Sequence, residues 1–574
     1  MTENQPSPSG KELSAPAKPA TKEAPPGDKP SAKPSAKPKP PAAGSPPPAA
    51  QPKPPAPGSP RPAAPPQPAG GPPRPGQPPW PPRVLAPMSP PIPFNIWPER
   101  VWPVDRKTAA PVAVLAAALL AGLVGALAFQ LSTVGIGFVL VGAAVLATAL
   151  ATRQTWPAPA QAAAAVSTCA LLGVGAVRSA GWLFVLCLLA ALATGALALV
   201  GGRTWSGLVL GVASPLLVPA RTVGWTLRGI IGAGSRGPSA KVGRLAGVAG
   251  VTAVLVIVFG ALFVSADAVF ARIIDAVLPE FSVLELLYRT ISFGFVAVVA
   301  LIAACLAHRP PRFDELAPGP GRPLARWEWA VPLAVLDLLF ASFVTVQLTV
   351  LFGGRDHVLS TGSLTYAEYA RQGFWQLLVV TALTLAVVAV AVRKAGRVER
   401  ADRVLVRVLL GLLCGLALVI VGSALRRLWL YEDTFGFTRL RIFVNAVELW
   451  LGVVFVLVLV AGVALRGWWL PRAIAGTAVL TLLCLAVLNP DAYIAQGNLD
   501  RYERTGRIDI DYLSNLTADA VPALNRLPEP KRSCALRWIR DDLNGDEQWY
   551  RYNWAKERAR DALAARPVGD CPER

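Results

Sequence analysis

The chain has 574 residues, 53% of them apolar and only 16% charged, a composition that excludes a soluble multidomain enzyme and indicates a membrane protein. Two histidines in the whole chain remove most metal and general-base chemistry, so no cofactor and no metal site are expected. The formal charge of +20 divides into +8 over residues 1–108, +13 over 109–488 and −1 over 489–574; the excess lies mostly in short loops between apolar runs, which argues against nucleic-acid binding.

Residues 1–108 hold 36 of the 56 prolines in a Pro/Ala/Lys background. Proline removes backbone donors and favours extended polyproline II, so this arm is predicted to be disordered and cytoplasmic. It has no early apolar run, and no cleavable signal peptide is expected. Beyond the arm, 38 Arg stand against 4 Lys, which suggests a GC-rich bacterial source.

From Ala109 the apolar runs reach the roughly 20 residues needed to cross about 30 Å of hydrocarbon. Eleven spans are predicted: 109–129, 133–151, 158–177, 180–200, 245–264, 290–307, 329–352, 373–392, 404–425, 442–465 and 471–488. Only helices satisfy every backbone donor and acceptor inside such a segment, so the fold class is all-α, a polytopic transmembrane helical bundle. The stretch 201–244 is expected to lie on the cytoplasmic surface, because Pro215, Pro219, Arg221 and Arg228 break its apolar run. With the N-terminus inside, cytoplasmic loops carry 18 basic residues and the opposite loops 9, which favours that orientation. Eleven spans then place the C-terminus outside.

Residues 489–574 read as a small extracytoplasmic helical domain. Leu513, Leu516, Val521 and Leu524 recur at helical spacing, as do Ala535, Trp538, Ile539 and Leu543. In an oxidising exterior Cys534 and Cys571 could pair. The other five cysteines lie in spans and read as small apolar fillers.

No GxSxG, HExxH or CxxC occurs, and no catalytic residue is assigned. Charges inside lipid are the stronger signal, since each costs at least a few kcal/mol. Asp337 falls in the seventh span and Glu448 in the tenth. Span boundaries put their depths roughly 9 Å apart, too far for direct pairing. Arg441, Asn445 and Glu448 make one polar stripe at i, i+4, i+7.

Four stretches stand out together: Ser265-Ala266-Asp267 followed by Val269-Phe270; Tyr366–Gln376; Leu425–Arg441; and Asn489–Leu513. The combination resembles an uncharacterised bacterial family of multi-pass membrane proteins, domain of unknown function 4173, or the closely related 4153. The resemblance covers roughly residues 245–525. It implies a polytopic membrane protein and carries no activity, substrate or catalytic residue.

In the predicted topology all four stretches fall on the outer side. Asp267, Tyr366, Glu368, Tyr369, Arg371, Arg427, Tyr431, Glu432, Arg439, Arg441, Asn489, Asp491, Asn498 and Arg501 would then ring one membrane mouth. They could bind an anionic lipid headgroup or polar substrate, or clasp the C-terminal unit onto the bundle. The leading expectation is a non-enzymatic envelope scaffold that binds a partner protein or lipid. A secondary transporter using Asp337 and Glu448 is the alternative, and a membrane-embedded transferase or hydrolase at the outer face the second. The sequence leaves oligomeric state open.

Overall fold

The structure, a computed structural model, describes residues 101–102, 108–129, 134–234, 283–317, 319, 324–352, 374–396, 399–545 and 548–572, and part of 252–273. The described residues are helical, without a strand. The bundle is α1 Val112–Ala128, α2 Gly137–Ala151, α3 Pro159–Val177, α4 Gly181–Val200, α5 Trp205–Leu217, α6 Pro219–Gly234, α7 Val283–His308, α8 Arg326–Phe352, α9 Phe374–Lys394, α10 Arg400–Phe435, α11 Arg439–Ala464 and α12 Leu470–Leu488. Smaller helices follow: α13 Pro490–Thr505, α14 Ile510–Ser514, α15 Val521–Leu524, α16 Lys531–Leu543 and α17 Trp554–Ala565. The arm 1–100 and the fifth predicted span up to residue 251 lie outside the described residues; where 252–273 are described they are mostly helical.

Eight helices, α3, α4 and α7 to α12, are long and apolar enough to cross a membrane. Their outward faces stay apolar: Leu189, Leu338 and Val463 are all exposed. A helix apolar on every side is at rest only against other apolar groups, so lipid is its natural surround. This is the architecture of a multi-pass membrane protein. At 17 and 15 residues, α1 and α2 are shorter.

The two ends of the bundle are distinguished by what ties them. At the first end the Thr152 hydroxyl donates to Ala304 O (3.2 Å), Arg153 donates to Leu199 O (2.8 Å), and Arg472 donates to Gly202 O (2.7 Å). There too Arg326 at the start of α8 pairs with Glu399 and Asp402 beside the start of α10. At the second end Arg178 donates to Ala486 O (2.7 Å) and the Ile136 amide to Tyr552 O (3.1 Å).

Helices α5 and α6, bent 54° at Val218 and Pro219, are apolar enough together to pass as one broken span. Their contacts say otherwise. Val218 packs with Leu199 and Leu306, the Ala110 amide donates to Trp225 O (3.1 Å), and the Trp225 ring lies 5.8 Å from that of His308. All of these belong to the first end, so the pair lies across it. Residue 234 is therefore at the first end and α7 starts at the second, where Ser292 and Val296 approach Gly125. The chain changes ends between them, and residues 110 and 489 lie at opposite ends.

Asp314, in the 3-10 turn Phe313–Leu316, holds the start of α5 in place. Its Oδ1 accepts from the amides of Arg203 (2.8 Å) and Thr204 (2.9 Å) and from the Thr204 hydroxyl (2.8 Å). Burial acts to raise the Asp314 carboxyl, but those bonds and the Arg472 charge outweigh it and hold it below the usual range. A depressed pKa stabilises the fold above the ordinary carboxylate pKa and ceases to do so as pH falls through the depressed value. Asp314→Asn should therefore lower the thermal midpoint at neutral pH, by the equivalent of about 1 kcal/mol. The gap from the wild type should close as the medium is acidified.

Candidate functional site

The junction between bundle and C-terminal helices starts at Asn489-Pro490. Asn489 takes the left-handed conformation (φ 57°), which Asn tolerates better than most residues, and Pro490 suits the first turn of the next helix. This elbow places Asp491 under the bundle with no exposure at all. Its Oδ1 accepts from Arg439 Nε (3.0 Å) and Trp182 Nε1 (3.3 Å). Its Oδ2 accepts from Arg439 Nη2 (2.5 Å), the Thr517 amide (3.1 Å) and the Thr517 hydroxyl (2.8 Å). The bidentate Arg439 fork is the arrangement that best compensates a buried carboxylate. The Arg439 amide in turn donates to the Tyr512 hydroxyl (2.8 Å). Five protein donors thus take up the accepting capacity of Asp491.

A second buried carboxylate, Asp519, accepts from the Ser179 amide (2.6 Å) and hydroxyl (2.7 Å), with Arg178 Nη1 at 3.6 Å. Burial pushes its carboxyl up, against the pull of Ser179 and Arg178. The Asn489 amide, turned to suit its neighbours, donates to Asp519 (3.2 Å) and accepts from Arg178 (3.0 Å). Buried Asn553 donates to Gly175 O and Arg178 O, both at 2.8 Å, and caps α17 through Lys556 N (3.1 Å). The C-terminal helices thus hold the α3–α4 turn from two sides, and they share one apolar core with α3, α4 and α12.

The α10–α11 turn docks similarly. Gly436 ends α10 at φ 83°, where a side chain would be strained and would also strike Asn498. Asn498 accepts from Phe437 N (3.2 Å) and donates to Phe437 O (2.9 Å), while Arg501 donates to Thr434 O (2.9 Å). Arg441 donates to Gly436 O and lies over the Tyr431 ring (4.3 Å). Glu432, buried, accepts from Asn445 (2.8 Å), and Arg427 donates to Gln347 Oε1 (2.7 Å).

The structure therefore gathers Tyr431, Glu432, Arg439, Arg441, Asn489, Asp491, Asn498 and Arg501 about one junction. Arg427 reaches α8 instead. Asp267 caps its own chain, accepting from the amides of Val269 (2.6 Å) and Phe270 (3.0 Å). Tyr366, Glu368, Tyr369 and Arg371 lie outside the described residues. Arg178, Ser179, Trp182, Thr517, Asp519 and Asn553 were not singled out in the sequence. The available signal was Arg178-Ser179 itself, a polar pair in the tight turn between two apolar runs. Cys534 and Cys571 are joined by a disulfide, and buried Arg532 beside it donates to Asn525 (2.7 Å), Glu529 (3.0 Å) and Pro567 O (3.0 Å).

Asp337 and Glu448 differ in kind from the junction residues. Both are buried, and none of their four carboxylate oxygens has a hydrogen-bond partner among the described residues. Asp337 lies within electrostatic reach of Cys414 on α10. Glu448 is bracketed by Asn445 against Glu432 and by Gly452, where an added Cβ would lie 3.4 Å from Val421, so it is level with residues 425–428 of α10. About a dozen residues of α10, or ~18 Å, separate the two levels. That exceeds the separation expected from span boundaries, because α10 continues to Phe435, beyond the predicted span end at 425. Among the described residues no group of three His, Cys, Asp or Glu could hold a metal ion.

The profile of the family described as Domain of unknown function (DUF4153) matches residues 162–527. The match is to family 4153, the second of the two families that the sequence resembles. It runs from α3 past α15, so the four recognised stretches, Asp491 and Asp519 fall inside it, while Asn553, Cys534 and Cys571 fall beyond. No curated protein and no solved structure matches the chain.

Replacing Arg439 by Gln leaves the fully buried Asp491 charge without its cation. The expected loss is about 3–5 kcal/mol of unfolding free energy, read by denaturant titration in detergent. Arg504→Gln breaks the exposed pair with Asp433 (3.1 Å) and should change stability by no more than about 1 kcal/mol.

Proposed function

This chain belongs to the DUF4153 family, and we propose that it is a non-enzymatic integral membrane protein of the cell envelope. In this reading the bundle is a scaffold, and the C-terminal helical unit is its extracytoplasmic binding face for a partner protein or an anionic lipid headgroup. The observation that carries the reading is the saturation of Asp491: five donors spend its lone pairs on holding the unit in place. The polar groups at the junction are consumed as a clasp, and exposed aromatic side chains of the unit are left for contact: Trp538 on α16, and Trp549, Tyr552 and Trp554 beside the Tyr552 and Asn553 contacts with the bundle. Arg537 lies over the Trp538 ring (4.4 Å) and Arg558 over that of Trp554 (5.6 Å). Aromatic and Arg side chains dominate binding hot spots and also favour the membrane interface. The two-to-one excess of basic residues in the loops of the other end, those read as cytoplasmic, supports this orientation.

Two measurements test the proposal. In intact cells a membrane-impermeant maleimide should label Asp541→Cys directly and Thr155→Cys only after permeabilisation; the reverse pattern would overturn the orientation. A photo-cross-linker placed at Trp538 should give a discrete protein or lipid adduct. Its absence would count against a binding face.

A second reading, secondary transport, has its own observation: Asp337 and Glu448 are buried in apolar surroundings, and their oxygens have no hydrogen-bond partner among the described residues. Such groups are costly, and in membranes they mark ion or proton paths more often than packing. If they only fill space, Asp337→Leu and Glu448→Leu should each stabilise the bundle by about 1 kcal/mol or more. If they carry an ion or a proton, Asp337→Asn and Glu448→Gln should abolish function while expression and thermal midpoint are kept.

A further inference from the structure

At the first end, far from the clasp, α10 and α11 separate to form a narrow cleft closed by Val392 of α9 and Leu470 of α12. Its volume is about 120 Å³. Gly411 and Gly462 line it without a side chain, and an added Cβ at either would meet nothing within 4 Å. From Arg407 to Cys414 it runs two turns along α10, ~10 Å, between walls of Leu410, Val458 and Leu459.

The charge at its mouth has one sign. Arg407 lines the cleft, and Arg466 sits between the lining residues Leu465 and Gly467. Neither guanidinium has a hydrogen bond or carboxylate partner among the described residues. Among the described residues no Asp or Glu lines the cleft. The nearest carboxylates along α10, Glu399 and Asp402, are both taken by Arg326. The N-termini of α10 and α12 face the same end, and helix N-termini favour anions. A slot too apolar for a soluble anion thus stands beside cations that lack a partner among the described residues, at the end of the bundle where α10 and α12 begin and a lipid phosphate would meet them.

We propose that this cleft binds one anionic phospholipid, its acyl chain along Gly411 and Gly462 and its phosphate on Arg407 and Arg466. The site is separate from the clasp and does not depend on the scaffold reading. Lipid is the occupant, because the volume is apolar and the cations are confined to the boundary, which matches the two parts of one phospholipid and no water-soluble molecule.

Native mass spectrometry of the full chain, released from detergent with phosphatidylglycerol or phosphatidylcholine at equal concentration, tests this. One phosphatidylglycerol should be retained preferentially. Arg407→Gln should weaken its retention about fivefold. Gly411→Leu, which fills open space and so should leave the fold intact, should weaken retention of the acyl chain at least as much. Gly476→Leu on α12, also into open space but away from the cleft, should leave retention unchanged and controls for general lipid loss. Equal retention of the two lipids, or Arg407→Gln and Gly411→Leu proteins that retain phosphatidylglycerol like the wild type, would overturn the proposal. Displacement of the lipid by inorganic phosphate alone would overturn the acyl-chain half of it.

Discussion

The burial of Asp491 is the constraint that shapes the junction. A carboxylate removed from water costs several kcal/mol unless its charge is paired and its lone pairs are filled. Here the compensation arrives from three places at once: Trp182 on α4, Arg439 at the start of α11, and Thr517 before α15. Each must be in position for the others to be useful, so satisfying one side chain fixes where two membrane helices end relative to the C-terminal unit. Asp519 repeats the device on the α3–α4 turn through Ser179 and Arg178. The disulfide Cys534–Cys571 and buried Arg532 then close the far side of the unit upon itself.

Much of the fold is legible in the sequence because lipid permits few solutions. Apolar runs of spanning length must be helices, and ten of the eleven predicted segments coincide with described helices. Chain punctuation is legible as well: Asn489-Pro490 and Gly436 mark the corners at which the junction is built. Pairing across the junction is not legible. Ser179 and Asp519 are 340 residues apart, and nothing local to either indicates the other. Asp267 shows the converse: a carboxylate beside a recognised stretch turns out to cap its own backbone. For α5 and α6 the sequence already points to the surface through Pro215, Pro219, Arg221 and Arg228, and contacts with Ala110, Leu199 and His308 assign the pair to one end.

The two ends and the interior use polar groups differently. At the second end, the carboxylates at the centre of the junction are saturated by protein donors. At the first, Arg407 and Arg466 stand beside an apolar cleft without a partner among the described residues. In the interior, Asp337 and Glu448 lie at levels too far apart to compensate each other. Saturated groups build structure, whereas uncompensated ones describe what the protein has yet to meet: lipid at the cleft, and an ion or proton at the carboxylates if the transport reading holds.

The central claim is that Asp491 unites the C-terminal helices and the bundle in one cooperative unit. Hydrogen–deuterium exchange of the wild type and Asp491→Leu, followed by mass spectrometry in the same detergent, tests it most directly. Exchange should rise together in α13, α15, the start of α4 and the start of α11, while α1, α2 and α7 keep their protection. A rise confined to the few residues around 491, or no rise at all, would contradict the claim.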